Sequence, residues 1–360
     1  MSPKMMDAPP AVFRVADAWR GEWMGPSLFR RGGSTLHYVG SAHSGANPAV
    51  PVGAVVNLNG VLLPGFTDHH VHLQLLSATA TTATTAMADA GLSRLIDLGG
   101  NPDVLATLAE PDPFAAAVEY AGAFLTAPGG YPSDRAWAPH GSWREISGAD
   151  DAELAVAEQL AAGASRIKVA LNAAAGPVVS DAVLADIVAE ARAAGLPVVA
   201  HTEGAGEAAR AITVGVDVLA HAPYSEVLSD ALIAQAVAQG QRWISTLAIH
   251  SDAGAEVGAL EIALANVRAF RAAGGEVLYG TDLGNGDQRL GLSVAELDAL
   301  ELAGFDQTAV LRALVGGFGR GRWKKRVTWL AEQPTVLAPL GAQLAAAQSI
   351  AIGDLEAVSA

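Results

Sequence analysis

From position 61 onward the chain repeats one unit eight times: an apolar run of strand length, then a segment of helical character. The runs cover 61–68, 93–98, 121–126, 165–171, 197–201, 216–221, 242–248 and 276–281. Apolar runs without alternation belong to strands buried on both faces, and helical crossovers between them make the strands parallel. The clearest helix runs from Ser180 to Ala194, with Ser180 as N-cap and Gly195-Leu196-Pro197 as the stop. Further helices are expected over 151–162, 205–214, 227–239, 257–273 and 306–315. Eight such units in 360 residues predict an α/β fold, a (β/α)8 TIM barrel, rather than an open doubly wound sheet. The first sixty residues read differently. Short strands at 11–18, 27–30, 35–39 and 54–58, broken by Gly, Pro, Ser and Asn, have the pattern of a small β-sandwich layer. The expected division is a β layer over 1–60, the barrel over 61–316 and a tail over 317–360.

Barrels of this kind gather their chemistry at the carboxyl ends of the strands, so polar residues at those ends carry the functional reading. The first run continues as Phe66-Thr67-Asp68-His69-His70-Val71-His72. Alternate side chains of a strand point the same way, so His70 and His72 aim at one point, as two imidazole ligands of one metal ion would. His69 takes the opposite face and is excluded. Asp68 shares the parity of the pair but lies deeper, where it would orient a ligand. Lys168, His201, His221 and Asp282 each lie at the end of a later run and can complete the site. Of the four lysines, Lys4, Lys168, Lys324 and Lys325, only Lys168 sits inside an apolar strand, between Ile167 and Val169. Burial disfavours its ammonium form, and a neutral amine can be carboxylated by carbon dioxide into an anion that two cations stabilise. The competing reading pairs Lys168 with a buried acid such as Asp282. The chain has no cysteine, so any metal must be held by nitrogen and oxygen.

The Pro-Gly-Phe-x-Asp-x-His-x-His pattern of residues 64–72 resembles the first-strand signature of the amidohydrolase superfamily. So does the order that follows: lysine on strand four, histidines on strands five and six, aspartate on strand eight. The resemblance covers roughly residues 50–315 and is strongest to the imidazolonepropionase-like and Xaa-Pro dipeptidase (prolidase)-like branch. It is carried by Gly-Ala-Ser-Arg-Ile-Lys168, Val-Val-Ala-His201-Thr-Glu-Gly, Gly-Val-Asp-Val-Leu-Ala-His221 and Tyr-Gly-Thr-Asp282. It implies that His70 and His72 bind one metal with Asp282, that His201 and His221 bind a second, and that carboxylated Lys168 bridges both. The implied reaction is hydrolysis of an amide, peptide or cyclic amide C–N bond. Two divalent ions about 3.5 to 4 Å apart would hold a bridging hydroxide and polarise the carbonyl. Asp282 would take the hydroxide proton and deliver it to the leaving nitrogen. Zinc is the metal expected from imidazole and carboxylate ligands, with manganese or cobalt able to take the same site.

Two alternatives stand beside this. Mononuclear deaminases and ring-opening amidohydrolases work with one metal. The deaminases show His-x-x-Glu after strand five and lack the strand-four lysine; here Gly204 is third after His201, and Glu203, one position early, is expected to face elsewhere. A non-catalytic barrel serving as an assembly module would have lost metal ligands, whereas all six positions are kept.

Residues 127–147, after the third strand, carry Gly, Pro and aromatics with no period and are expected to wall the substrate with Tyr131, Trp137, His140 and Trp143. Tyr224, three residues after His221, is placed to reach a tetrahedral oxyanion, and Thr246 and His250 fall on the substrate side of strand seven. Beyond 316 the family's returning strand is replaced by a basic run, Arg320 to Arg326, and an Ala-rich stretch, 337–350. Only residues 349–353 offer a strand, which leaves two readings: the C-terminal tail returns to complete the β layer, or the layer is small or incomplete and the tail serves contacts in a homo-oligomer. A net charge of -15 repels phosphate, which excludes nucleic acid and anionic membrane surfaces and favours a small molecule or short peptide. The first thirty residues lack the apolar core of a secretory signal, and charges punctuate the apolar runs, so a soluble cytoplasmic protein is expected.

Overall fold

Short, half-buried strands open the chain: β1 (Val12–Val15), β2 (Asp17–Ala18), β3 (Ser27–Gly32), β4 (Thr35–Ser41), β5 (Val55–Asn57) and β6 (Val61–Pro64). The barrel strands follow: β7 (Phe66–Val71), β8 (Leu92–Asp97), β9 (Ala117–Tyr120), β10 (Phe124–Thr126), β11 (Trp143–Glu145), β12 (Ile167–Asn172), β13 (Val198–Glu203), β14 (Val218–Leu219), β15 (Arg242–Ile244) and β16 (Glu276–Leu278). The tail adds β17 (Arg326–Leu330) and β18 (Gln348–Ala351). This computed structural model describes residues 11–42, 55–76, 80–251, 256–286, 288–316 and 323–359. Lys4, His43, Arg320 and Arg322 lie outside the described residues.

The sheets run β7-β8-β9 and β11-β10-β12-β13-β14-β15-β16, with every pairing parallel. The third barrel strand is split. Its first half, β9, pairs with β8, the chain jogs at Gly122 (φ 74°), and its second half, β10, pairs with β12. The barrel closes where the carboxyl end of β7 meets the segment after β16: His69 N donates to Tyr279 O (3.0 Å), Asp282 N to His70 O (2.8 Å) and His72 N to Leu283 O (2.6 Å). Ile96, Leu98, Val199, Val218, Ile244 and Leu278 fill the interior. All six expected helices are present, among them Asp181–Ala193, whose N-cap Ser180 Oγ accepts from Val183 N. Helices Ala80–Asp89, Pro102–Leu108 and Val294–Leu302 were not expected. The first is half threonine and alanine repeats, and threonine is a weak helix former, so its pattern carried no signal.

One expectation is corrected. The run 61–68 is two strands, because Pro64-Gly65 carries the chain from one sheet to another: β6 pairs antiparallel with β17, and β7 enters the barrel. Gly65 passes so close to β8 that an added Cβ would lie 2.5 Å from Ser93 Cβ. Of the two readings open for the tail, the structure shows the first, in which it completes the β layer. Strands β17 and β18 pair with each other and extend the sheet β18-β17-β6-β2, which faces β4-β3-β1-β5. Trp323, Val327, Ile352 and Leu355 pack there against Phe13, Phe29, Leu36 and Leu62. The basic run does not interrupt this, since Arg326 opens β17 and its guanidinium reaches Ser349 Oγ (2.9 Å). Among the described residues no helix is long and apolar enough to cross a membrane.

Candidate metal centre and active site

Strand parity brings His70 and His72 to one side of β7, and both rings are buried. Each has one nitrogen tied to a backbone carbonyl: His70 Nδ1 to Ala220 O at 2.8 Å, and His72 Nδ1 to Gly99 O at 3.0 Å. A carbonyl only accepts, so Nδ1 carries the proton in each ring and Nε2 presents its lone pair. The two Nε2 atoms lie 3.2 Å apart, and Asp282 Oδ1 lies 3.0 Å from one and 3.3 Å from the other. Three acceptors turned on one point repel one another unless a cation joins them, so this donor set fits a divalent ion. Burial lowers the His70 pKa to about 4, keeping the imidazole neutral. Burial opposes ionisation of Asp282, but the neighbouring His70, His72 and His221 outweigh it and hold the carboxyl well below its usual range. Burial pulls His72 down, yet the Asp282 carboxylate outweighs it and leaves the pKa raised, so without a cation this ring favours a second proton on Nε2 that metal binding would displace. Neutral imidazole and ionised carboxylate are the forms that bind metal.

The backbone around the trio is crowded by design of the sequence. Asp282 itself adopts φ 56°, the left-handed region that Asp tolerates better than most residues, and its Oδ2 accepts from Asn285 Nδ2 at 2.9 Å. A Cβ on Gly280 would lie 3.1 Å from His70 Cβ, and one on Gly284 (φ 107°) would strike His72 O. Two acids fix the ligands from behind. Asp68 Oδ1 accepts from His70 N (3.0 Å) and Thr281 N (3.1 Å), and Oδ2 from Thr281 Oγ1 (2.6 Å), so one carboxylate ties together the residues next to both His70 and Asp282. Asp97 accepts from Leu73 N (2.7 Å) and Gly99 N (2.9 Å), which fixes the loop whose carbonyl holds His72. Burial raises their pKa values to about 7 and about 6.

Lys168, His201 and His221 extend the cluster. Lys168 is buried on β12, its Nζ 5.9 Å from the Phe124 ring centroid, and burial lowers its pKa to about 7. Asp282 gives its oxygens to His70, His72 and Asn285, and among the described residues Lys168 has no ion-pair partner. His221 Nδ1 is tied to Thr246 Oγ1 (2.9 Å) and His201 Nε2 to Glu203 Oε2 (3.1 Å), so His221 Nε2 and His201 Nδ1 are the nitrogens that could bind a metal. The four rings form a chain, His72 to His70 to His221 to His201, with successive centroids 5.1, 4.7 and 4.9 Å apart.

Above these groups opens a cavity of about 400 Å³. Of the residues expected to wall it, Tyr131, Trp137 and Tyr224 do. His140 is exposed and sits edge-on to Trp143 at 6.4 Å, and neither lines the cavity. Thr246 is fully buried and turned to His221; His250 stacks behind Tyr224 at 4.3 Å, and burial lowers it to about 4. His69 is buried away from the centre with Nδ1 at Tyr279 O (2.9 Å). The expectation that Glu203 faces elsewhere is corrected. Residues i and i+2 of a strand share a face, so Glu203 follows His201 into the cavity, where Asn172 Nδ2 donates to it at 2.7 Å and the Tyr224 hydroxyl is also bonded to it. The His201 hydrogen bond is the largest influence holding the Glu203 carboxyl low. Phe124, Asn172 and Asp97 also went unread in the sequence, although each stands at or near the end of a barrel strand.

Residues 61–289 match the Amidohydrolase family. No curated protein sequence matches the chain. The fold is similar to that of a Xaa-Pro dipeptidase with methionine bound in its active site (TM-score 0.76, 15% identity, 98% of this chain and 99% of that one). It is likewise similar to A. niger ochratoxinase (0.77, 18%, 94% of each chain) and phenylurea hydrolase B (0.73, 16%, 98% and 97%).

Proposed function

The chain belongs to the amidohydrolase family, hydrolases of carbon–nitrogen bonds, and from that premise we propose that it cleaves an amide, peptide or cyclic amide with two divalent ions. The observation that carries this reading is the set of tied imidazoles: four rings each have one nitrogen spent on a protein partner and the other left as a ligand atom. His70, His72 and Asp282 would hold one ion, His201 and His221 the other, with carboxylated Lys168 between them. Zinc suits this donor set, and manganese or cobalt would also be accepted. When bound, the two ions supply a nucleophilic hydroxide at neutral pH and draw electron density from the substrate carbonyl.

The chain's own residues do the rest. Lys168, with a pKa near 7, has at neutral pH a large fraction of the neutral amine that carboxylation requires. Asp282, oriented by Asn285, takes the proton of the attacking water and hands it to the leaving nitrogen. Tyr224, turning its hydroxyl from Glu203 to the carbonyl oxygen, stabilises the charge that develops there. Tyr131 and Trp137 close over the floor and exclude water. Dipeptidase, ochratoxinase and phenylurea hydrolase share the fold, which supports a small organic substrate; a soluble cytoplasmic homo-oligomer completes the reading.

Elemental analysis of protein purified without chelator tests this. Two metal equivalents per chain are expected, falling sharply in Lys168→Ala together with hydrolysis of an amide, lactam and dipeptide panel. One equivalent, indifferent to Lys168, would select single-metal chemistry at His70, His72 and Asp282 and reject the binuclear mechanism.

A further inference from the structure

The charge of the cavity wall is one-sided. Among the described residues no arginine lines it, and its one lysine, Lys168, lies on the floor, 1% exposed. Arg135 stands in the same loop as Tyr131, but its guanidinium is spent on Asp134 (3.3 Å) and Ala175 O (3.2 Å), with its centre 5.7 Å from the Tyr131 centroid. Glu203, by contrast, faces the cavity with a side chain 32% exposed. It is held in place by Asn172, His201 and Tyr224. A carboxylate has about four acceptor directions, so three donors orient it and leave capacity for a fourth. Aromatic rings line the same cavity: Tyr131 stacks on His201 at 5.5 Å, Trp137 packs against Tyr131 at 5.8 Å, and Tyr224 reaches Glu203 through its hydroxyl.

A fixed carboxylate among aromatic rings attracts an organic cation twice, through its charge and through the ring quadrupoles. Away from the metal-binding floor, the same wall repels a carboxylate and, among the described residues, offers it no cationic side chain, which leaves an anionic substrate group there desolvated and unpaired. We propose that the substrate amide bears an ammonium or similar organic cation, seated against Glu203 between Tyr131, Trp137 and Tyr224, and carries no carboxylate. This rests on the hydrolase reading above and narrows its substrate class: dipeptides and N-acyl amino acids with a free carboxylate are poor substrates, and amides of amines or amino acids with an unblocked amine are good ones.

Binding and turnover separate the two claims. Calorimetric titration of the purified metalloprotein with benzyltrimethylammonium, benzyl alcohol and benzoate should rank them in that order, the cation about ten-fold tighter than the alcohol. Glu203→Gln should bring the cation to within about two-fold of the alcohol. Benzoate binding as tightly as the cation to both the metalloprotein and the chelator-treated protein, where it has no metal to coordinate, would overturn the proposal. So would a Glu203→Gln protein that loses metal but keeps the ranking, because Glu203 would then only position His201. Para-nitroanilides of gamma-aminobutyric, pentanoic and succinic acids give the matching turnover series, with kcat/KM expected to fall in that order. If none is cleaved while the cation still binds best, the hydrolase reading fails and the charge preference stands; if the succinyl member is cleaved fastest, the reverse holds.

Discussion

Asp68 does not line the cavity, yet it accepts three hydrogen bonds that hold His70 of the ligand trio and Thr281, the residue before Asp282. Asp68→Ala leaves buried donors unpaired at roughly 1 to 3 kcal/mol each and frees the strand ends that carry His70 and Asp282. Groups of this kind, standing behind metal ligands, change affinity by about 10- to 100-fold when removed. A loss of that size is expected in chelator competition with Asp68→Ala, and an unchanged affinity would reduce Asp68 to a structural role. At this scale His70, His72 and Asp68 were legible because a strand's two-residue period relates them without any tertiary information. The same period applied to His201 would have found Glu203. It was missed because a three-residue spacing was sought there.

At the scale of elements, a helix that the sequence did not announce supports the centre. Helix Val294–Leu302 buries Glu296, whose Oε2 accepts from Ala248 N at 2.7 Å and fixes the turn after β15. That turn contains Thr246 at φ 41°, an unfavourable conformation for a β-branched residue, and so aims its hydroxyl at His221. Burial raises the Glu296 pKa from 4.5 to about 7. Between these values the folded protein keeps a proton that the unfolded chain has released, so stability is full below pH 4.5 and declines as pH rises through about 7. The decline amounts to ~3 kcal/mol. Denaturant titrations across that range should show Glu296→Gln flattening the slope; an identical slope in the variant would assign it to other groups. The helix went unread because Val294 to Leu302 mixes apolar and acidic residues without a clean stripe.

For the whole molecule, the β layer is sewn from three distant parts of the chain. Strand β6 lies between β2 and the tail strand β17, and the same polypeptide run continues directly into β7 and the metal ligands. Deleting residues 323–360 would remove Trp323, Val327, Ile352 and Leu355, four of the eleven buried residues of that core. At about 1.5 to 3 kcal/mol for each large side chain, the loss rivals the ~5 to 15 kcal/mol that holds a domain folded. The truncated chain is therefore expected to lose its cooperative thermal transition and aggregate through the exposed β6 edge. A soluble truncation with an unaltered melting curve would mean the tail is dispensable. Residues 349–353 read as a strand and overlap β18, whereas Arg326–Leu330, which starts at the last residue of the basic run, is fixed as a strand by β6 and β18 on either side of it.

What the sequence determined by itself follows from local periods. Unbroken apolar runs with helical spacers specify parallel strands and the two-residue period pairs His70 with His72, because each of those inferences needs only residues a few positions apart, while the order of Lys168, His201, His221 and Asp282 at later strand ends carries the family resemblance. Tertiary structure decided what depends on residues far apart in the chain: which imidazole nitrogen is left unpaired, that Lys168 makes no ion pair among the described residues, that Glu203 shares one cavity with Tyr131, Trp137 and Tyr224, and that the tail closes the β layer. Hydrogen-bond partners, desolvation and charge pairing are set by whatever lies within a few ångströms in space, and folding alone brings Ala220 to His70, Gly99 to His72 and Thr246 to His221.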